Sequence, residues 1–216
     1  MSSGRGILAR GPWQSDQVET RWLDEPFEPP PDVLREADAA VHGLRERGSP
    51  AHDGMATRLA GWREEQGRLL LDLQPMRWAV RLVEDNACDS LTALCAVRTA
   101  DGRWLAGRRA GWVATWANRW ALGAGGAVDL GEGPAETLTR ELQEEWQLEP
   151  GGLSVEALIV LPNGLNMLVG LATVPDGCEP VPDAEHDEWT WWPADIDRWP
   201  AEADERLKLM AALLGS

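Results

Sequence analysis

Three glutamates near the middle of the chain have the type and spacing of ligands for a divalent cation. Glu141, Glu144 and Glu145 would fall within one arc of a helix, because successive helical residues turn by about 100°. Carboxylates held this close repel one another, and a bound cation removes that conflict. Oxygen-rich sites of this kind suit Mg²⁺ or Mn²⁺. Taken alone, the same three residues also fit an ordinary solvated helix face.

The residues around these glutamates form a longer motif with fixed spacing. Gly133-Pro134 precedes an uninterrupted stretch, Ala135–Trp146, which predicts a helix with one apolar side. The full pattern reads Gly126-x5-Glu132-x7-Arg140-Glu141-Leu142-x-Glu144-Glu145-x-Gln147-Leu148. It resembles the Nudix box of the Nudix hydrolases, and so many fixed positions favour a metal site over a solvated face.

The resemblance implies a role for each of these positions. Glu141, Glu144 and Glu145 would be metal ligands or, for one of them, the general base. Glu132 would support the metal site, and Arg140 would pair with a carboxylate of the motif and hold its loop–helix–loop shape. A backbone carbonyl of the glycine turn, at Gly125 or Gly126, would also face the metal.

Two positions differ from the family pattern. Gln147 stands where the family has the glycine that ends the helix, so we expect the helix to end elsewhere, after Leu148, ahead of Pro150-Gly151-Gly152. Ala124 stands in the preceding turn where many members have proline. Neither difference removes a carboxylate, so both bear on loop shape and substrate choice rather than on catalysis.

A second acidic stretch lies later in the chain. Nudix proteins often have a loop glutamate a few residues before a tryptophan, and this glutamate serves as a further metal ligand or as the base. Aligning Trp191 with that tryptophan places Glu185 at the match, with Glu188 as the competitor. The neighbouring His186 is expected near the site or at the surface rather than on the metal, since a hard cation does not need imidazole.

The other apolar segments fit the α/β/α sandwich of Nudix domains, an α+β fold with a mixed sheet. Leu91–Val97 and Trp104–Gly107 predict strands, and Leu153–Leu161 and Leu165–Val174 predict a hairpin around Asn163-Gly164. Leu207, Met210, Ala211 and Leu214 have helical spacing within Ala201–Leu214. We assign the Nudix domain to residues 89–216.

Residues 1–88, the N-terminal segment, predict a small α+β extension. Gly4–Pro12 is expected to be a loose terminus, and Asp32–Arg47 a helix after a proline-rich connector. The predicted strands are Asp53–Trp62, Arg68–Leu73 and Met76–Leu82. Nudix hydrolases of nucleotide sugars often carry such an extension, which caps the site or mediates dimerisation; a homodimer and a scaffold without substrate contact both remain open.

Charge and composition exclude several classes of partner. The chain has 36 acidic and 20 basic residues and a net charge of −16, which disfavours polymeric nucleic acid and anionic membranes. It shows no signal segment and no apolar run of membrane length. Cys88, Cys95 and Cys178 lack metal spacing, so we expect free thiols and a cytoplasmic protein.

Tryptophan is unusually frequent: the chain has thirteen Trp, one Phe and no Tyr. Most of these indoles are expected to fill core positions, although one could stack on a nucleobase. Arg108, Arg109 and Arg119 lie just before the glycine turn and are our candidates for binding phosphate oxygens of the substrate.

These observations predict a metal-dependent hydrolase. The expected substrate is a nucleoside diphosphate linked to another moiety, of the nucleotide-sugar or ADP-ribose type, with Glu141 or Glu185 as the base. One alternative is a non-catalytic Nudix module that binds a nucleotide as a sensor. An activity like that of isopentenyl-diphosphate isomerase, which has a related fold, would need a Cys and His constellation that this sequence does not show.

Overall fold

Alternating apolar residues in the middle of the chain build a large mixed sheet that holds most of the core. The computed structural model describes residues 6–49 and 53–215, and all statements about the fold refer to these ranges. In chain order the strands are β1 (Gly6–Trp13), β2 (Val18–Trp22), β3 (Met55–Glu65), β4 (Arg68–Arg77), β5 (Leu91–Thr99), β6 (Trp104–Arg109), β7 (Trp120–Leu122), β8 (Ala124–Ala127), β9 (Gly152–Val160), β10 (Asn166–Val174) and β11 (His186–Trp192). The α-helices are α1 (Pro31–Glu46), α2 (Pro134–Trp146) and α3 (Glu205–Leu214).

The large sheet has the order β1-β9-β10-β5-β6-β11, with β7 paired to β6 and β8 to β5. The β9–β10 hairpin is antiparallel, as predicted from its Asn-Gly turn, and Gly164 there has a positive φ of 80°. Strand β10 then pairs with β5 in parallel. Strands β5 and β6 share one register pair, Arg98 with Trp104. Beyond this pair, β5 pairs with β8 and β6 pairs with β7.

The two faces of the large sheet are covered by different helices. Along β5, Ala93, Cys95 and Val97 point into a cluster with α2, whereas Ala96 points into a cluster with α3. The helix after residue 200 begins at Glu205, later than predicted, because the Asp204 carboxylate caps its first N–H groups. The predicted α/β/α sandwich with a mixed sheet is confirmed.

The N-terminal segment forms a second, three-stranded sheet in the order β2-β4-β3. Leu59, Leu69, Leu71 and Leu73 of this sheet join the same apolar cluster as α2. Helix α1, predicted at Asp32–Arg47, packs against a short 3₁₀ turn at Trp78–Leu82. The prediction of a strand at Met76–Leu82 is therefore wrong beyond Arg77, since an apolar run alone does not distinguish a strand from a turn that packs on a helix.

The first described residues are not loose. Of the stretch Gly4–Pro12, which was expected to be a loose terminus, Gly6–Pro12 belongs to β1, which pairs antiparallel with β9, and residues 4 and 5 lie outside the described ranges. Ala9 and Trp13 are buried in the core. The prediction failed because glycine and proline interrupt the alternation, and the pairing itself contains two register shifts.

Two further expectations concern cysteines and membranes. The three cysteines are free thiols, with Cys88 and Cys95 buried and Cys178 half-buried. Burial raises the pKa of the Cys95 thiol to about 12. Within the described ranges, the protein has no helix that is both long and apolar enough to cross a membrane.

Candidate active site

Helix α2 places two of its glutamates against the glycine turn. Glu141 and Glu145 are only 9% and 5% exposed, because α2 packs its side chains against β5 and β8. The Glu145 Oε1 atom accepts a hydrogen bond from the Gly125 N–H at 3.2 Å. A Cβ atom on Gly126 would overlap the Glu141 carboxylate, so the backbone can approach this closely only at a glycine.

Helix α2 ends in the left-handed conformation that glycine favours, although the residue at that position is Gln147. The helix stops at Trp146, not after Leu148 as expected, and Gln147 adopts the left-handed conformation with φ 53° and ψ 36°. The Leu148 N–H donates to the Leu142 carbonyl at 3.4 Å, which closes the helix end. Gln147 thus takes the conformation that glycine adopts most easily.

The Arg140 guanidinium donates hydrogen bonds to three carboxylates of the motif. Its Nε and Nη2 atoms donate to the two oxygens of Glu132 at 2.9 and 3.0 Å. Its Nη1 atom donates to Glu141 at 2.7 Å and to Glu144 at 2.9 Å. Glu132 also accepts a hydrogen bond from the Thr137 hydroxyl at 2.8 Å. Arg140 therefore fixes the positions of three carboxylates. Together with Glu145 they form an acidic cluster, which comprises Glu132, Glu141, Glu144 and Glu145.

A second basic group holds the loop glutamate beside this cluster. Arg109, at the end of β6, donates to Glu185 at 2.8 Å and approaches Glu145 Oε2 at 3.8 Å. Glu185 thus lies on the site side of Arg109, whereas Glu188 pairs with Arg108 and is 57% exposed. The structure brings Glu185 and Arg109 to the acidic cluster.

His186 is buried behind the cluster rather than at the surface. Its ring packs on Trp146 with centroids 4.3 Å apart, and Nδ1 lies 3.3 Å from Asp183. The Nε2 atom lies 3.7 Å from Glu145 Oε2, and neither of these two atoms has a hydrogen-bond partner among the described residues. Desolvation, together with the nearby charge of Arg109, lowers the pKa of His186 and favours the neutral ring.

Burial controls the protonation of the two inner glutamates. Desolvation raises the pKa of Glu141 despite the adjacent Arg140, and it raises the pKa of Glu145 well above the usual range despite Arg109. Desolvation also acts on Glu132, but hydrogen bonds from Arg140 and Thr137 outweigh it and lower the pKa of that carboxyl. Additional positive charge beside Glu141 and Glu145 would therefore favour their ionised form.

The donors fit a hard divalent cation. They are carboxylates, and the buried Glu145 Oε2 has no hydrogen bond to satisfy it among the described residues. In the described ranges, no three His, Cys, Asp or Glu side chains already converge as a preformed metal site. Glu141 and Glu144 instead accept hydrogen bonds from the Arg140 guanidinium.

Comparison with known proteins identifies the family. A family model described as NUDIX domain matches residues 90–212, more than half of the chain. The chain belongs to the Nudix hydrolase family. No curated protein matched it significantly. Members of the family generally use divalent cations, in keeping with the carboxylate donors of this site.

One solved structure shows the same fold, and two others are similar to parts of the chain. The protein DR0079 from Deinococcus radiodurans is 16% identical, with 74% of this chain and 99% of that chain covered and a TM-score of 0.51. An Ap4A hydrolase from C. elegans is 17% identical, with coverages of 57% and 92% and a TM-score of 0.45. The NUDIX domain of Shewanella oneidensis NrtR, in complex with ADP ribose, is 18% identical, with coverages of 59% and 88% and a TM-score of 0.43. At these identities the likeness concerns the fold alone.

The predicted substrate-binding arginines occupy different places around the Nudix motif. Arg109 lies at the acidic cluster, as described above. Arg108 points to Glu188, and Arg119 pairs with Asp204 at 3.2 Å while its guanidinium lies over Trp116. The side chains of Arg108 and Arg119 therefore contact carboxylates outside the acidic cluster.

Sequence reasoning missed two residues that border the site. The Thr92 hydroxyl, on β5, donates to the Gly126 carbonyl and also accepts a hydrogen bond from Arg81 Nη2 at 3.3 Å. Arg81 belongs to the 3₁₀ turn of the N-terminal segment and lies outside the motif and the matched region. No spacing rule connects it to the motif, because the contact runs through Thr92 on β5, which lies outside the motif.

Proposed function

We propose that this Nudix protein hydrolyses the diphosphate bond of a nucleoside diphosphate linked to another moiety. A nucleotide sugar or an ADP-ribose type compound is the proposed substrate, and Mg²⁺ or Mn²⁺ the proposed cofactor. The observation that carries the proposal is the pair Glu141 and Glu145, buried against the glycine turn with raised pKa values and an unsatisfied carboxylate oxygen. A cation bound there would favour the charged form of these carboxylates and would also neutralise the charge that repels a nucleophile from a diphosphate.

Glu141, Glu144 and Glu145, together with a backbone carbonyl at Gly125, would hold the cation. When bound, it would neutralise charge on the phosphate oxygens and lower the pKa of a water molecule. Arg140 would hold Glu141 and Glu144 in position, and Glu132, which is hydrogen-bonded to Arg140 and Thr137, would fix Arg140 in turn.

Glu185 is the proposed general base, with Glu141 as the alternative. Glu185 lies on a loop next to the cluster, is about one-third exposed, and is oriented by Arg109. A solvated carboxylate beside buried ones can accept a proton from the attacking water without first losing a ligand contact. Water attack on one phosphorus then releases a nucleoside monophosphate and the other half of the substrate with its own phosphate.

Arg109 is the proposed phosphate-binding residue within the matched region. Its guanidinium lies between Glu145 and Glu185, where it can shift toward a phosphate oxygen once a cation has neutralised Glu145. The net charge of −16 disfavours polymeric nucleic acid as the substrate.

The test is a panel of nucleotide diphosphate derivatives incubated with Mg²⁺ or Mn²⁺, with products identified by mass. The expected result is cleavage of at least one compound to a nucleoside monophosphate, with loss of cleavage in EDTA. The Glu145→Gln variant serves as the control for contaminating hydrolase. Tight binding of a nucleotide without metal-dependent turnover would instead identify a non-catalytic sensor module.

A further inference from the structure

One arginine near the acidic cluster is left without an ionic partner. Arg109 and Arg140 each contact carboxylates at less than 3 Å. Arg81, by contrast, makes one side-chain hydrogen bond to Thr92 and no ion pair within the described ranges. A guanidinium has five N–H donors in a planar fork, so most of the donors of Arg81 remain for a ligand.

The position of Arg81 is fixed by packing on both sides. Its neighbours Ala79 and Val80 are fully buried against α1, and its guanidinium lies 5.9 Å from the Trp78 ring centroid. Thr92 ties Arg81 to the Gly126 carbonyl, and Gly126 contacts the Glu141 carboxylate. A continuous chain of contacts therefore leads from the N-terminal segment to the acidic cluster.

The surroundings of Arg81 favour an anion between it and the cluster. The side chain is half-buried, and desolvation lowers its pKa to about 10, although Glu141 and Glu185 oppose this. The group remains a cation at neutral pH, and a desolvated cation without a direct counter-ion is costly. A phosphate group held by a cation at the glutamates would supply the missing negative charge.

We infer that Arg81 is a phosphate-binding residue of the catalytic site, so that the N-terminal segment supplies part of the substrate-binding surface. The inference rests on the proposed function in that the ligand is a diphosphate. Arg81 precedes the region matched by the family model, so the motif does not assign it. The N-terminal segment then acts in substrate binding as well as in packing.

The direct test measures binding of methylenediphosphonate, whose P–C–P bridge cannot be hydrolysed, by titration calorimetry in Mg²⁺. Arg81→Gln should weaken binding roughly 10- to 100-fold, because it removes charge-assisted hydrogen bonds, and Arg81→Lys should weaken it less. The matched control is Arg63→Gln, which removes the same charge from an exposed arginine of β3 and should change the affinity by less than about twofold.

Three results would overturn the inference: wild-type affinity in Arg81→Gln, equal weakening in Arg63→Gln, or no binding of the diphosphonate by the wild-type protein. If Arg81→Gln fails to fold, Arg81→Lys decides. A severalfold weaker affinity at an unchanged Tm then supports the inference, and unchanged affinity refutes it.

Steady-state kinetics on a cleaved nucleotide gives a second readout. A binding role predicts a raised KM in Arg81→Gln with a smaller change in kcat, which a purely structural role would not produce. The two proposals can fail separately. Binding through Arg81 without turnover of any nucleotide refutes only the proposed function, whereas turnover with an unaltered KM in Arg81→Gln refutes only the role of Arg81.

Discussion

The region matched by the family model and the N-terminal segment contribute to the site in different ways. In the matched region, residues 90–212, one helix and one turn bring Glu141, Glu145 and Gly126 together, and the spacing along the chain already indicates their proximity. In the N-terminal segment, Arg81 reaches the glycine turn only through Thr92, which binds Arg81 Nη2 and donates to the Gly126 carbonyl. Site residues that share one helix can be predicted from their spacing in the sequence. A residue that reaches the site through a tertiary contact from another segment cannot.

The largest expected effect is a loss of turnover when glutamates of the matched region are replaced. Glu145→Gln should lower kcat by about 10²-fold or more while the fold remains intact, because the buried carboxylate is lost where a cation would bind. Glu144→Gln should also reduce turnover to that extent if Glu144 is a ligand. Glu149→Gln, an exposed change just beyond α2, is the matched control. Parental activity in both Glu144→Gln and Glu145→Gln would remove the metal assignment.

Within the matched region, the two glutamates near β11 should differ in their effect on turnover. Glu185→Gln should lower kcat by about 10²-fold with little change in KM, as expected for loss of a general base. Glu188→Gln should be nearly neutral, since Glu188 pairs with Arg108 at an exposed position. Steady-state kinetics at saturating Mg²⁺ decides between them. Damage from Glu188→Gln alone would contradict the assignment, and no effect from either would point to Glu141.

Arg140 should affect stability and activity together. Arg140→Ala leaves Glu132, Glu141 and Glu144 without their shared partner, which should destabilise the protein by on the order of 3 kcal/mol and lower kcat about tenfold. Arg140→Lys should recover only part of both, because lysine lacks the planar fork. Thermal unfolding and initial rates measure the two effects. An Arg140→Ala protein with the parental Tm and kcat would show that the observed ion pairs are inconsequential.

The smallest expected effect lies at the end of α2. Gln147→Gly restores the residue of the family pattern at a position that already has a positive φ, and Gln147 is exposed. The change should stabilise the protein by about 1 kcal/mol, because glycine adopts this conformation without steric cost. The Tm should rise by roughly 2 to 4 °C with kcat unchanged. A lower Tm would mean that the glutamine side chain stabilises this turn.

The sequence predicted those elements in which local pattern and tertiary position agree. The β9–β10 hairpin follows from two apolar runs around Asn163-Gly164, and α2 from a stretch between Pro134 and Trp146 without a breaker. Gln147 was misjudged because a residue type gives only a preference, and the packing of Leu148 fixes the turn. The burial of His186 also depends on tertiary structure, since the Trp146 ring against which it packs lies on another element.

Strand β1 belongs to the N-terminal segment but pairs with a strand that is synthesised much later. It pairs with β9 along the edge of the large sheet, so the chain passes through that sheet at β1, leaves it to build the small one, and then returns. During translation β1 emerges long before its partner, so the edge of the sheet cannot close until residue 160 has left the ribosome. Cutting the chain at residue 88 would strip β1 from β9 and leave an unpaired edge, which promotes association between chains. The two regions are thus distinct in their chemistry but are folded as one interlocked unit.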